Sequence, residues 1–352
     1  MDASRSKVHE VLSIALLLLI AFPLLSAVEG IASQPQAQPI VTISVVPPVW
    51  ARVLNIVGSP FVRAVNPVPE GVDPHHYEPK PEDIERALRA DLVVVDSREH
   101  LPMGKRLVEA ARERGVPLIL VEEDARKRGW RPLLKPSGAE NLHVHFDANA
   151  TLIMVDMVVE RIVEIARAKG VPQAQLEAMR SALSSRASLF KAIYLSSITL
   201  GKSRAQGMEG VALYSSLSQY LARDIGITPV VILLDEHEEE LKPRDLERLK
   251  ASGAKCMLML EGPEHFDQKV VKEISELGVR PVIVKVREVM GAAGPHFLPA
   301  VAAEALAQGC SAQVMVEAHE HEHQHIDPLL VGVSAYALAV TLLAAFLLLR
   351  RK

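Results

Sequence analysis

The chain has 352 residues, of which 49% are hydrophobic and 23% charged, with a formal net charge of −4. That length suits two lobes plus accessory segments, and the apolar content is too high for a disordered chain. No basic stripe accompanies the slight negative charge, which excludes nucleic acid as the partner.

In chain order, residues 1–33 carry Arg5 and Lys7, an apolar run from Val11 to Val28 and then small residues. This is the pattern of a secretory signal, or of an uncleaved signal anchor. Residues 34–39 are a polar, Pro-containing spacer. Residues 40–170 alternate aliphatic runs (Ile40–Val46, Leu92–Asp96, Leu118–Val121) with helices that start at Pro81 and Pro102, the second stopping at Gly115. Proline at a first helical position and glycine just past the end are the usual punctuation of helices. Buried parallel strands read as such unbroken aliphatic runs, so the segment predicts an open α/β lobe.

Residues 171–203 have no proline after Pro172 and no glycine before Gly201, which predicts one long connecting helix. Residues 204–312 repeat the α/β grammar, with strands expected at Val230–Leu234, Cys256–Leu260 and Val282–Val286 and helices starting near Pro243 and Pro263. Residues 313–328 form a stalk that holds the run His319–His325, HEHEHQH. This run reads either as a low-affinity metal collector or as a charged linker. Residues 329–349 are apolar and uncharged, long enough to cross a bilayer, and residues 350–352 are Arg-Arg-Lys. Basic residues stay on the cytoplasmic side, so the expected placement is the cell membrane, with a single C-terminal span and the main body extracytoplasmic. The chain has two cysteines, Cys256 and Cys310. In an oxidising compartment they form either a disulfide or two separate buried thiols.

Two loops carry chemistry. Gly71–Pro79, GVDPHHYEP, is kept extended by its prolines and presents His75 and His76. Asn141–Asn149, NLHVHFDAN, places His143 and His145 two apart, on one face if the chain is extended, with Asp147 as the expected N-cap of the next helix. Neutral imidazoles on stiff strand-end loops suit a borderline divalent metal. Asp235–Glu240, DEHEEE, reads as a solvated acidic turn.

From about Ile40 to Cys310 the chain resembles the zinc/manganese substrate-binding proteins of ABC importers. The resemblance rests on PEGVDPHHYEPKPEDIERALRADLVVVDS, LHVHFDANAT, YLARDIGITPVVILLDEHEEELKPRDLERL and EVMGAAGPHFLPAVAAEALA. It implies two open α/β lobes joined by a long helix, with one Zn(II) or Mn(II) held in the cleft between them as transported ligand. It also implies a permease membrane subunit and its ATPase as partners. By the same resemblance the metal ligands are His75, His143 and Glu288, while the remaining ligand position falls on Ser215. A serine hydroxyl is a poor zinc ligand. His145 supplies the missing imidazole, a water completes a three-ligand site, the register differs by a turn, or tight binding has been lost. Two rival functions are a cell-surface metal-dependent hydrolase and an adhesin or sensor on the same fold. The chain lacks H-E-x-x-H, G-x-S-x-G and a phosphate loop, which counts against the hydrolase, and no catalytic residue is expected.

Overall fold

The structure is a computed structural model that describes residues 39–311 apart from 70, 71, 73, 237, 238, 262–265 and 293. The expected signal, stalk and membrane span, and the helix start near Pro263, lie outside the described residues. Among the described residues no helix is long and apolar enough to cross a membrane.

The first lobe runs β1 (Val41–Val46), α1 (Pro48–Gly58), β2 (Val62–Val65), α2 (Pro81–Ala87), β3 (Leu92–Val95), α3 (Pro102–Arg114), β4 (Leu118–Leu120), α4 (Val121–Lys127) and α5 (Ala148–Ala168). Its four strands are parallel in the order β2-β1-β3-β4. β3 is buried at every position, which is why its sequence LVVV does not alternate. Gly115 closes α3 in the left-handed conformation (φ 66°), and Asp147 caps α5 by accepting a hydrogen bond from Ala150 N at 3.1 Å.

α6 (Gln173–Ala205) follows as one helix of 33 residues, about 50 Å long at 1.5 Å per residue. It buries a stripe at three- and four-residue spacing from Leu176 through Met179, Leu183, Ala187 and Phe190 to Ala205. Gly201 lies in that stripe because a Cβ there would stand 2.8 Å from Ile225 Cγ2 and 3.0 Å from Pro299 O.

The second lobe contains β5 (Val211–Ser215), α7 (Gln219–Asp224), β6 (Val231–Leu234), α8 (Pro243–Ala251), β7 (Cys256–Glu261), α9 (Gln268–Glu276), β8 (Arg280–Lys285), α10 (Val286–Ala292) and α11 (Leu298–Ser311). Its sheet is again parallel, in the order β6-β5-β7-β8. In both sheets the strand order reverses beside the first strand of the lobe, and open α/β sheets bind ligands at the carboxyl ends of the strands there. One hydrophobic cluster, with Trp50, Leu183, Phe190, Tyr220 and Leu258, runs through both lobes and the connecting helix. The question left open for the cysteines is answered by a Cys256–Cys310 disulfide, which ties α11 to the start of β7.

His296 is buried in this core, its ring 5.1 Å from that of Phe190. Burial, with Arg52 nearby, lowers its pKa to about 4 from 6.5. The unfolded chain therefore takes up a proton at His296 before the folded protein does, so this contribution to stability is lost as pH falls from 6.5 to 4. At 1.36 kcal/mol per pK unit the loss is about 3 kcal/mol. Urea midpoints measured between pH 7 and pH 4 should fall more steeply for the native chain than for His296→Phe. Equal slopes would refute the assignment.

Candidate metal centre

Asp96 is the first residue after β3 and is fully buried at the point where the sheet reverses. Its backbone is fixed from both sides, with Asp96 N donating to Val46 O (3.0 Å) and Asp96 O accepting from Glu122 N (2.9 Å). Its carboxylate accepts from Ser97 N on one oxygen (2.7 Å), while the other lies 2.6 Å from His100 Nδ1 and 3.2 Å from His145 Nδ1. Burial alone would raise the Asp96 pKa, but the charges and hydrogen bonds of His100 and His145 outweigh it and bring the group down to about 2. A carboxylate that stays ionised accepts from Nδ1 of both rings, which leaves Nε2 of each as the atom on which a metal ion would take the place of a proton. The Nε2 of His100 is buried and has no hydrogen-bond partner among the described residues.

His143 is oriented by a different device. Its Nδ1 lies 2.9 Å from Asn141 Oδ1, which also accepts from His143 N at 3.0 Å. The orientation of the Asn141 amide follows from its other side, where Nδ2 donates to Ser216 O (2.7 Å) and Gln219 Oε1 (2.8 Å). Oδ1 is then the acceptor, His143 carries its hydrogen on Nδ1, and its Nε2 lone pair is exposed to the cluster. This Nε2 is also buried without a hydrogen bond, and Glu236 Oε2 stands 3.3 Å away. Burial, reinforced by the positive charges of His100, His145, His75 and Lys135, holds the His143 pKa well below its ordinary 6.5, so the ring is neutral at neutral pH.

His75, in the Pro-rich loop after β2, completes the group. One ligand atom from each of His75, His100 and His143 lies within 4.8 Å of the other two. Nitrogens around a tetrahedral zinc are about 3.3 Å apart, given Zn–N bonds near 2.0 Å, so small side-chain rotations would close the three onto one ion. The second lobe faces them with Glu236, just beyond β6, whose other carboxylate oxygen pairs with Lys135 Nζ. His75, His100, His143, Lys135 and Glu236 line one polar cavity of about 390 Å³.

Of the residues expected from the sequence, His75 and His143 are brought together. His145 is one step behind, joined to His100 through Asp96. It does not sit on an extended strand, because Val144–Phe146 is a 3₁₀ turn. Glu288 is elsewhere: β8 leads directly into α10, which sets its side chain 65% exposed and paired with Lys285 at 3.1 Å. Ser215 ends β5 in the buried sheet, where its carbonyl accepts from Ser218 Oγ at 3.0 Å. Neither residue lines the cleft cavities. His100 and Glu236, which the structure adds to the group, were not anticipated from the sequence.

Two parallel α/β lobes of equal strand order, a single long helix between them and an imidazole cluster where they meet define the fold of a two-lobed solute-binding receptor. Residues 43–305 match the family ZnuA, zinc-uptake complex component A, periplasmic, and the chain belongs to that family of periplasmic metal-binding receptors. In structure it is similar to the solute-binding protein FpvC from Pseudomonas aeruginosa in complex with Mn2+, at 19% identity and a TM-score of 0.58 over 76% of this chain and 99% of that one. It is similar to ZnuA at 19% identity and 0.58, over 77% and 99%. A periplasmic metal binding protein from Candidatus Liberibacter asiaticus matches at 14% identity and 0.60, over 77% and 99%. At these identities the structural likeness speaks for the fold. No curated protein matches the chain in sequence.

Proposed function

We propose that this chain is the receptor that captures Zn(II) outside the cell and passes it to the permease and ATPase of an ABC importer, held at the membrane by residues 329–349. The observation that carries the reading is the pair of buried Nε2 atoms on His100 and His143, both without hydrogen bonds among the described residues and both in rings whose Nδ1 faces a buried acceptor. Leaving such atoms unpartnered is costly unless something else occupies their lone pairs, and a metal ion does so. Three imidazoles favour Zn(II) over Mn(II), which prefers oxygen. His75, His100 and His143 are the donors, and Glu236 brings the negative charge from the opposite lobe.

Purified full chain in detergent should take up one zinc per molecule, measured by metal analysis after removal of free ion, and should prefer zinc to manganese in competition. Uptake below a tenth of an equivalent would overturn the reading. Glu236→Ala should weaken zinc binding by about tenfold to a hundredfold, the range for groups that support a metal centre. Isothermal titration of both forms checks this, and unchanged affinity would remove Glu236 from the site.

A further inference from the structure

The cleft is larger than a metal ion requires, and the surplus is apolar. His75 and His100 line the polar cavity and also a second one of about 740 Å³, which His145 joins. Its walls include Pro47, Val68 and Phe146 from the first lobe and Leu217 and Met290 from the second. A bare or hydrated cation gains nothing from such walls and loses solvation against them. A volume of this size, mostly apolar with a few polar groups, is what small organic ligands occupy. Two cations face it. Arg86 is already bonded to Asp83 at 2.6 Å, whereas Arg287, on α10, makes no ion pair with a described residue.

We propose that this cavity binds a small organic anion that enters as a chelate of the metal, a bidentate nitrogen-and-carboxylate ligand with an apolar body. This rests on the metal-receptor reading above. The chelator's nitrogen and one carboxylate oxygen take coordination positions that the histidines leave open, which zinc accommodates by expanding to five ligands. The outer carboxylate oxygen faces Arg287, and the apolar body lies against Pro47, Val68, Phe146 and Met290. The added carboxylate also offsets part of the ion's double charge, because the imidazoles bring none and Glu236 is already shared with Lys135.

The test uses the full chain in detergent with Zn(II) alone, Zn(II) with picolinate, and Zn(II) with benzoate, read by native mass spectrometry and by zinc titration. Picolinate has the chelating pair and an aromatic body, whereas benzoate lacks the nitrogen. In solution picolinate competes for zinc, so a protein that binds only the bare ion loses apparent affinity when it is added. The proposal expects the opposite: a protein–zinc–picolinate mass and an apparent affinity raised by about tenfold, a shift of 1.4 kcal/mol. Benzoate should have no effect. Arg287→Ala and Met290→Trp, which removes the cation and fills the cavity respectively, should each abolish the ternary mass. A zinc-only mass in the presence of picolinate overturns the proposal and leaves the receptor reading standing. So does a ternary mass that survives both substitutions. Absence of zinc from every mixture overturns both.

Discussion

Replacing His100 by alanine is expected to lower zinc affinity by more than about a hundredfold, the upper end of what loss of a supporting group costs, because a ligand itself is removed. The effect should exceed that of Glu236→Ala. His100 is held by Asp96 at 2.6 Å, and its Nε2 has no other function in the fold. Its removal also leaves the buried Asp96 carboxylate with one imidazole instead of two, which costs further free energy for a buried charge. Isothermal titration with His75→Ala and His143→Ala beside it provides the scale, since all three should fall in the same range. A His100→Ala protein that bound zinc within threefold of the native chain would exclude His100 from the centre and leave two imidazoles, too few for the proposed site.

The second large effect concerns stability. Cys310→Ser opens a loop closed across 54 residues. In the chain-entropy account such a loop is worth about 4 kcal/mol of unfolded-state restriction. For a chain of this size the melting temperature should drop by roughly 10 °C. Thermal melts of the native protein with and without reductant supply the comparison, and reduction should reproduce the variant. Zinc stoichiometry should survive at low temperature, because the bridge joins β7 to α11 and none of the histidine loops. An unchanged melting temperature would show that the helix is held by packing alone.

Much of the framework could be read from sequence because it depends on local signals. The aliphatic runs at Leu92 and Cys256 are strands buried on both faces, and the long helix could be anticipated from the absence of proline and glycine between Pro172 and Gly201. Strand β5, the first of its sheet, carries a weaker signal. VALYS is short and runs into serines, so nothing local distinguishes it from a turn. The same contrast holds at the site. His75 and His143 stand in motifs marked by prolines or by paired histidines. His100 sits alone in SREH, and its importance comes from position, four residues after Asp96 at the carboxyl end of a strand beside the reversal of the sheet. Only the strand order reveals that position. Glu236 lies in an acidic run that reads as solvent-facing, and it acquires a role because Lys135 and His143, about a hundred residues earlier, fold against it. Glu288 shows the opposite case, a residue named from the resemblance that the structure sets apart from the histidines. The resemblance supplied an acidic residue at about the right place in the chain, but the helix that begins at Val286 turns its side chain toward Lys285 and water.

The amide of Asn141 has a mechanical consequence. Its oxygen steers an imidazole of the first lobe, while both of its hydrogens are held by the backbone of Ser216 and the side chain of Gln219 in the second. Pulling the halves apart by even an ångström or two would strain those two anchors, along with the Tyr220 hydroxyl bond to Asn141 O, and free the ring they aim. The grip on the cargo would then loosen through leverage, without any change in acidity. A transporter that pries at the rim of the cleft could therefore unload this receptor by force applied far from the ion itself.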